Sequence, residues 1–260
     1  MALTIAGSDP SGGAGIQADL KTFQLHGVYG EAVISLHTVQ NTLGVSRVEA
    51  VDPALIAEQL ASLWADLPPQ AVKTGALGDL RCVRVIASSL ATLSVPLVVD
   101  PILRASSGAA FSREDLVRTY LEHLVPHAHL LTPNTVEAEA LTGVSVTDLE
   151  SAARAAAALR SYGAQNVLLK GGHLPGEPVD LLLCEGGSQL LLPAPRVDTP
   201  HTHGTGCTYS AAITARLARG ERLERAVQRS KEWLARVIAQ PLGLGHGRGP
   251  LNHFVPPELD

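Results

Sequence analysis

The stretch LTIAGSDPSGGAGIQADLKTF, residues 3–23, contains the unit that the whole fold repeats. Its apolar opening predicts a buried strand over Leu3–Gly7, and its end predicts a helix over Gln17–His26. Between them lies a loop in which glycines let the backbone approach a ligand closely (Gly12, Gly13 and Gly15). The same loop is also consistent with a turn that serves geometry alone. A strand, a loop and a helix in this order are typical of parallel α/β sheets.

The same alternation continues along the chain. Apolar runs predict further strands at Ala32–Leu36, Ala71–Gly75, Pro96–Asp100, Leu130–Pro133 and Asn166–Gly171. Helical patterns lie near Ala54–Trp64, Arg81–Ala91, Glu114–Leu124, Leu149–Tyr162, Gly206–Arg219 and Leu223–Ala239. Two apolar runs on either side of Gly186 and Gly187 predict a hairpin at a sheet edge. We therefore expect one α/β domain over residues 1–260, with a mostly parallel sheet covered by helices on both faces.

Composition excludes several classes of function. The chain has 260 residues, 45% of them apolar, which is enough to bury a sizeable core. Its net charge of -5 and the lack of a long basic run argue against nucleic acid or an anionic membrane surface as a partner. Aromatic residues make up only 3%, which argues against a stacking platform for single strands. No apolar run approaches the ~18–20 residues of a membrane helix, and no basic region marks a signal peptide.

The three cysteines, Cys82, Cys184 and Cys207, are odd in number and far apart. This spacing fits neither a disulfide framework nor a paired zinc site. Because unpaired cysteines are typical of a reducing compartment, we expect the protein in the cytoplasm.

Ligands of open α/β sheets bind beyond the carboxyl ends of the strands, so the residues at those ends are the first candidates. Asp100 ends one strand and either holds a metal through water or caps a loop. Lys170 ends another and either contacts an anion or extends its ammonium group to solvent. Gln40 offers a planar acceptor and two donors that can match an aminopyrimidine edge, although a polar loop glutamine is often unremarkable. Asp19 lies inside the first helix and either reaches a ligand hydroxyl or faces solvent.

Two helix starts carry further candidates. In TPNTVEAEALTG, Asn134 and Glu137 have the spacing of a capping box. The same geometry would let both side chains order Mg²⁺-bound water and nucleotide phosphate.

In HTHGTGC, Gly204, Thr205, Gly206 and Cys207 precede an alanine-rich helical run. Consecutive N–H groups and the helix dipole there favour an anion, although an ordinary glycine-rich helix start would look the same.

Together these motifs resemble the hydroxymethylpyrimidine/phosphomethylpyrimidine kinases of thiamine biosynthesis, which have the ribokinase-like fold. The resemblance covers nearly the whole chain. It depends on TIAGSDPSGGAGIQADLKTF, VQNTLGV, KTGALG, TPNTVEAEALTG, VLLKGGH, THGTGCT and GHGRGP, which occur in the family's order. It implies a three-layer sandwich with a mostly parallel central sheet and an antiparallel edge hairpin.

The resemblance also implies ATP-dependent phosphorylation of 4-amino-5-hydroxymethyl-2-methylpyrimidine, and then of its monophosphate. Among the family's functional positions, it matches a substrate side (Gln40, Asp19, Gly7 and Gly13), a nucleotide and phosphate side (Asn134, Glu137, Lys170 and Thr205) and an anion hole (Gly204, Thr205 and Gly206). Glu137 and Asp100 would hold Mg²⁺, Asp100 through water. Cys207 matches the position of a catalytic base that is aspartate in most of the superfamily. A homodimer is expected, with no nucleic acid and no membrane.

Three departures from the family pattern stand out. Relatives read DPVM-x-AKSG where this chain reads DPILRASSG, so Ser106 replaces a lysine and Arg104 appears two positions earlier. Ala76 replaces a methionine, which would loosen the wall of the site. Pro200 and His201 replace the residues that usually precede the THGTGC stretch.

Rival interpretations stay open at this point. A pyridoxal or pyridoxine kinase of the same fold acts on a similar flat ring with a hydroxymethyl group. A cysteine hydrolase built on Cys207 and His203 is a second alternative, and a ligand-binding sensor without catalysis is a third. For the kinase, a helix N-terminus would lower the pKa of the Cys207 thiol, whereas nearby phosphates would raise it. Either Cys207 takes the proton of the alcohol or it only shapes the site.

Overall fold

A computed structural model describes residues 1–92, 94–103 and 113–259, without the side chain of Arg113. Arg104 and Ser106 lie outside the described residues. The described strands are β1 (Ala2–Ser8), β2 (Gly30–Asn41), β3 (Gly44–Ala50), β4 (Ala71–Thr74), β5 (Leu97–Val99), β6 (Leu130–Leu131), β7 (Asn166–Leu169), β8 (Val179–Leu183) and β9 (Gln189–Pro193). The described helices are α1 (Gly15–Leu25), α2 (Pro53–Asp66), α3 (Leu80–Leu90), α4 (Arg113–Thr119), α5 (Thr135–Thr142), α6 (Leu149–Ser161), α7 (Thr205–Ala218) and α8 (Leu223–Ile238).

The described strands form one sheet in the order β3-β2-β1-β4-β5-β6-β7-β8-β9. The six central strands run parallel to one another, as the apolar runs predict: β2, β1, β4, β5, β6 and β7. Strands β8 and β9 are antiparallel and confirm the edge hairpin around Gly186 and Gly187. The strand order reverses at β1, which has β2 on one side and β4 on the other. A crevice beyond the carboxyl ends of the strands is expected at such a switch point.

The second antiparallel edge, β3, was not predicted. Strand β2 runs on to Asn41, and β3 folds back on it, so that Gln40 pairs with Val45. Gln40 therefore lies on a strand and not in the loop that the sequence predicted. Strand β3 is mostly exposed, so no buried apolar run marks it in the sequence.

Helices cover both faces of the sheet and give the expected three layers. Along β5 the side chains alternate, with Val98 in one core cluster and Leu97 and Val99 in the other. Helices α7 and α8 supply the first cluster, with Ile213 and Trp233 buried against the sheet. The second cluster takes residues from α2, α3, α4, α5 and α6 (Ile56, Leu60, Val83, Ile86, Leu116, Leu141 and Leu159).

The predicted helices are confirmed to within a few residues at their ends. The segment predicted at Glu114–Leu124 is α-helical to Thr119 and then continues as a π-helical turn over Tyr120–Leu124. Within the described part of the chain, no helix is long and apolar enough to cross a membrane.

Helix α7 begins in an unusual way. Its N-cap residue, Gly204, has a left-handed backbone with φ 82°, and no side chain caps the helix. A β-carbon on Gly204 would overlap the carbonyl oxygen of Gly13, so the loop before α7 packs directly on the loop after β1. Glycine is required here both for the backbone angle and for the close approach.

We predict that Gly204→Ala destabilises the protein more than Gly220→Ala, its matched control. Gly220 has almost the same φ of 83°, but an added β-carbon there meets no atom within 4 Å. The control therefore loses only the ~1–2 kcal/mol of a left-handed alanine, whereas Gly204→Ala adds an overlap worth a further ~1–3 kcal/mol. Urea unfolding measures the loss of unfolding free energy in both variants. Equal losses would show that the packing of the two loops contributes nothing to stability.

Candidate active site

A cavity of about 680 Å³ opens at the carboxyl ends of the parallel strands. It brings together most of the residues that the sequence singled out: Gly7, Gln40, Asp100, Asn134, Glu137, Lys170, Gly204, Thr205, Gly206 and Cys207. Ala76, which replaces the family's methionine, lines it as well. Residues far apart in the chain, from Ala6 to Arg248, therefore meet at one site.

A smaller cavity of about 410 Å³ adjoins the larger one. Its far wall is largely apolar and includes Leu234 and Ile238 of α8. Six residues line both cavities: Asn134, Lys170, Thr202, Thr205, Gly206 and Arg248. The two cavities therefore share one wall, which contains the uncapped N-terminus of α7.

Lys170 and Asp100 form an ion pair in this shared region. The Lys170 ammonium lies 2.8 Å from Oδ1 of Asp100, which also accepts a hydrogen bond from the Thr132 hydroxyl. Burial opposes the charge on Lys170, but Asp100 and Glu137 outweigh it and raise its pKa. Lys170 is thus a fixed cation with a side chain only 15% exposed, and it does not extend into solvent. A β-carbon on Gly206 would lie 3.3 Å from the same ammonium group, so this charge faces the start of α7.

Asn134 and Glu137 form the capping box that the sequence predicted, and both also line the larger cavity. The Asn134 side chain accepts from the Glu137 amide at 2.8 Å, and the Glu137 carboxylate accepts from the Asn134 amide at 2.8 Å. This reciprocal capping box begins α5. Because both residues also line the larger cavity, the cap holds a carboxylate at a fixed position in its wall.

Gln40 belongs to a hydrogen-bonded group that the sequence did not reveal. Nε2 of His203 lies 2.7 Å from Oδ2 of Asp9 and 2.9 Å from the side-chain amide of Gln40. Burial opposes ionisation of Asp9, but hydrogen bonds from His203 and Ser11 outweigh it and lower the pKa of Asp9. The ionised Asp9 holds the His203 proton on Nε2, and a protonated nitrogen cannot accept from an amide NH₂. We therefore assign the Gln40 amide oxygen to this contact, which leaves its NH₂ group for a ligand.

Cys207 is the third residue of α7 and is 8% exposed. Burial raises the pKa of its thiol to about 11. Lys73 and a hydrogen bond from the Gly15 amide act in the opposite direction, whereas Asp19 and Asp100 add to the rise. The free protein therefore holds a neutral thiol at pH 7, because burial outweighs the groups that lower its pKa.

Asp19 lies in α1, as the sequence predicted, but not in the cavity wall that the family resemblance implied. Its side chain is fully buried and is not part of the cavity wall. Its carboxylate lies 2.8 Å from the Lys73 ammonium and accepts a hydrogen bond of 2.6 Å from Thr4. Burial opposes the charge on Lys73, but Asp19, Cys207 and Asp100 outweigh it and raise the pKa of Lys73. The pair therefore lies behind Cys207 as part of its electrostatic surroundings.

Gly13 likewise lies beside the cavity and not in its wall. A β-carbon there would be 2.6 Å from the ring of His203 and 3.1 Å from Pro250. Its glycine therefore lets His203 pack against the first loop.

Sequence reasoning missed Asp9, Lys73 and Arg248, and it considered His203 only as a partner of Cys207. Lys73 had a usable signal, because a lysine inside the apolar strand AVKTG needs a buried anion. His203 and Asp9 are 194 residues apart, and no local pattern connects them.

The structure gives no support to a cysteine hydrolase. The ring of His203 contacts Asp9 and Gln40, and the residues that the structure describes include no hydrogen bond between His203 and Cys207. A cysteine nucleophile also needs a thiolate, whereas the Cys207 thiol is neutral.

The carboxylates of this site can hold Mg²⁺ if a ligand phosphate and water complete its coordination shell. Among the described residues, no group of three or more His, Cys, Asp or Glu side chains could hold a metal ion. Asp100 and Glu137 are two carboxylates in the wall of one cavity. Mg²⁺ commonly binds one or two carboxylates and completes its shell with water and substrate phosphates. The donor set therefore fits an ion that arrives with a phosphorylated ligand.

Comparisons with known proteins agree with this arrangement. The family model described as phosphomethylpyrimidine kinase matches residues 9–252. A hydroxymethylpyrimidine/phosphomethylpyrimidine kinase of Synechococcus elongatus is 44% identical over 258 residues, which are 98% of this chain and 98% of that protein.

Two solved structures extend the comparison. A pyridoxal kinase of Bacillus subtilis in complex with ADP superposes with a TM-score of 0.89 at 35% identity, over 98% of this chain and 97% of that chain. A phosphomethylpyrimidine kinase of Clostridium difficile superposes with a TM-score of 0.79 at 38% identity, over 91% of this chain and 98% of that chain. With a site at its strand ends, a matching family model and a relative of equal length, this chain belongs to the phosphomethylpyrimidine kinase family.

Proposed function

We propose that this protein transfers the γ-phosphoryl group of ATP to the hydroxymethyl oxygen of 4-amino-5-hydroxymethyl-2-methylpyrimidine, and then phosphorylates the monophosphate to the diphosphate for thiamine biosynthesis. The shared wall of the two cavities is the observation that carries this proposal. A transfer between two substrates needs two sites that meet at one phosphate position, and the wall provides that position.

The smaller cavity is the proposed ATP site. Its apolar surfaces on α8 suit a nucleobase, and Lys170 and the start of α7 suit the phosphates. The structural neighbour from Bacillus subtilis is a complex with ADP, which supports a nucleotide at this fold.

The larger cavity is the proposed acceptor site. The Gln40 amide, oriented through His203 and Asp9, presents an NH₂ group to the pyrimidine. The NH₂ group can donate to a ring nitrogen of the pyrimidine, and the second lone pair of the amide oxygen can accept from the neighbouring amino group.

The transfer itself needs position and charge more than covalent help from the protein. The acceptor oxygen forms a bond to the γ-phosphorus, and the bond from that phosphorus to the β–γ bridging oxygen breaks, so that ADP leaves. The N–H groups at the start of α7, around Gly204, Thr205 and Gly206, would stabilise the charge on the transferred group. Lys170, whose ammonium group faces the start of α7, would add a fixed positive charge.

Magnesium would supply charge neutralisation when bound with ATP, held by Glu137 and, through water, by Asp100. Asp100 also keeps Lys170 in place through their ion pair. We expect both carboxylates to matter for ATP use.

The proton of the hydroxymethyl group needs an acceptor. A neutral Cys207 thiol is a poor one, so we propose that the transferred phosphate takes the proton and that Cys207 shapes the space around the alcohol. The raised pKa supports this role over that of a base.

Two properties of the molecule remain expectations. The three cysteines are unpaired and buried, which supports a reducing, cytoplasmic location. A homodimer is expected from the family resemblance.

A pyridoxal-type kinase is the second candidate, favoured by one observation. The pyridoxal kinase of Bacillus subtilis superposes on nearly the whole chain, and Ala76 leaves more room than the methionine of other family members. A side activity on pyridoxal is the form in which we expect this second function.

The first prediction tests the proposed function. The protein is incubated with ATP, Mg²⁺ and the hydroxymethylpyrimidine, and mass analysis counts the phosphates added. We expect a monophosphate followed by a diphosphate. In a parallel reaction with pyridoxal, kcat/KM should be lower. A single phosphate on the pyrimidine, or a preference for pyridoxal, would contradict the proposal.

The second prediction concerns Gln40→Ala. Loss of a two-point amide contact is worth ~1–3 kcal/mol, so KM for the pyrimidine should rise about tenfold to hundredfold. KM for ATP should hardly change, because Gln40 lines the larger cavity and not the smaller one. The matched control is Gln24→Ala, an exposed glutamine on α1. A parallel rise in the KM for ATP would argue against a specific pyrimidine contact.

The third prediction concerns the protonation of Cys207. With a pKa of about 11, the thiolate fraction at pH 7 is on the order of 10⁻⁴ and rises tenfold per pH unit. Alkylation of Cys207 by iodoacetamide, followed by peptide mass mapping, should therefore accelerate up to pH 10 without a plateau. Free glutathione should level off near its ordinary thiol pKa, about pH 8.5–9.

The same analysis predicts that Cys207→Ala loses less than about tenfold in kcat, because a true general base is worth ~10²–10⁴. A plateau of alkylation near pH 7, or a hundredfold loss in kcat, would restore Cys207 as the base.

A further inference from the structure

The glycine-rich segment 243–250 carries an arginine for which the transfer mechanism above has no role. Arg248 lines both cavities. Every other lysine or arginine that lines either cavity has a protein partner within the described part of the chain. Lys170 pairs with Asp100, Lys231 pairs with Asp180, and the Arg196 guanidinium donates to backbone carbonyls. Arg248 has no such side-chain partner among these residues.

The backbone that presents Arg248 is held in place. Its amide donates to the carbonyl of Thr42, at the turn between β2 and β3, at 2.9 Å. A β-carbon on Gly247 would overlap the same carbonyl, and one on Gly249 would overlap the ring of His201. The His203 amide in turn donates to the carbonyl of Gly249. The segment therefore joins the turn beside Gln40 to the loop before α7, and Arg248 lies between the two.

The second transfer differs from the first in the charge of its acceptor. In the first, the acceptor is a neutral alcohol. In the second, the acceptor is a phosphomonoester with about −1.5 to −2 charges, which must approach the phosphates of ATP. Repulsion between these groups opposes the reaction unless a cation lies between them. Lys170 already pairs with Asp100, so its charge is partly neutralised.

We propose that Arg248 binds the phosphate of the monophosphorylated acceptor and so makes the second transfer possible; this inference rests on the proposed function. The guanidinium group has five donors in a fixed plane and can bind two phosphate oxygens at once. Because Arg248 lines both cavities, it can contact an acceptor phosphate that extends from the larger cavity toward their shared wall. Arg248 is thus a specificity-determining residue that favours a charged acceptor.

The test compares two acceptors in the same variants. Kinetics with saturating ATP are measured for the hydroxymethylpyrimidine and for its monophosphate, in the wild-type protein, Arg248→Ala and Arg248→Lys. We expect Arg248→Ala to lower kcat/KM for the monophosphate about tenfold to hundredfold, as for a lost charge-assisted hydrogen bond. For the alcohol, kcat/KM should change less than about threefold. Arg248→Lys should keep part of the activity, because it keeps the charge but not the planar donor pair.

The control is Arg222→Ala, an exposed arginine before α8 that lines neither cavity. It removes the same charge from the protein and should leave kcat/KM unchanged for both acceptors. Equal losses for the two acceptors in Arg248→Ala would overturn the proposal, because they would place the arginine on ATP or in the fold. An unchanged kcat/KM for the monophosphate in Arg248→Ala would overturn the proposal as well.

Direct binding separates this inference from the proposed function. Calorimetric titration with the monophosphate, without ATP, should show a Kd at least tenfold weaker for Arg248→Ala, and the alcohol should bind both proteins alike. If the wild-type protein phosphorylates neither compound, the proposed function fails, yet the same titration still decides the role of Arg248. Equal affinity of both proteins for the monophosphate would then rule that role out.

Discussion

The close approach of Gly204 to the carbonyl of Gly13 is the constraint on which the site depends. It packs the loop before α7 onto the loop after β1, although the two lie almost two hundred residues apart in the chain. The contact sets where α7 begins, and so where the amide groups of its first turn and Cys207 lie. It also places His203 within reach of Asp9 and Gln40. A side chain at position 204 would separate the two loops and open the wall between the cavities.

The buried charged side chains around this site occur in pairs of opposite sign. Lys73 and Asp19 form a fully buried pair behind Cys207, and Lys170 and Asp100 form a second pair at the cavity surface. Asp9 and His203 form a third, which orients a neutral amide. Because each buried charge has a partner, the desolvation cost of each is offset. Arg248 differs from these groups, since it is exposed and has no side-chain partner among the described residues, and we propose that a ligand phosphate supplies one.

The sheet was largely predictable, because buried parallel strands are short, apolar and separated by helices. The strands from β4 to β7 and the hairpin β8–β9 follow directly from such runs. Strand β3 did not, because an exposed edge strand has no apolar face to mark it. This omission placed Gln40 in a loop, although its position near the end of β2 is what holds its amide in the cavity.

Some of the site residues could also be identified from the sequence, whereas their contact partners could not. Asn134, Glu137, Asp100, Lys170 and the stretch from Gly204 to Cys207 were identifiable, since each lies where a strand ends or a helix begins. The partners of these residues were not. His203 appeared as a possible partner of Cys207 and proved to be bound to Asp9 and Gln40, and Asp19 appeared as a cavity residue and proved to be bound to Lys73. Contacts between residues far apart in the chain leave no periodic pattern.

The sequence by itself determined the alternation of strands and helices, the glycines at the two loops and the helix caps, because these depend on neighbours within a few positions. Only the tertiary structure decided the state of the Cys207 thiol. Local sequence offered a helix N-terminus that would lower its pKa, yet burial among remote elements raises the pKa to about 11 and keeps the thiol neutral. Protonation depends on the groups that surround an atom in space, and those groups come from every part of the chain.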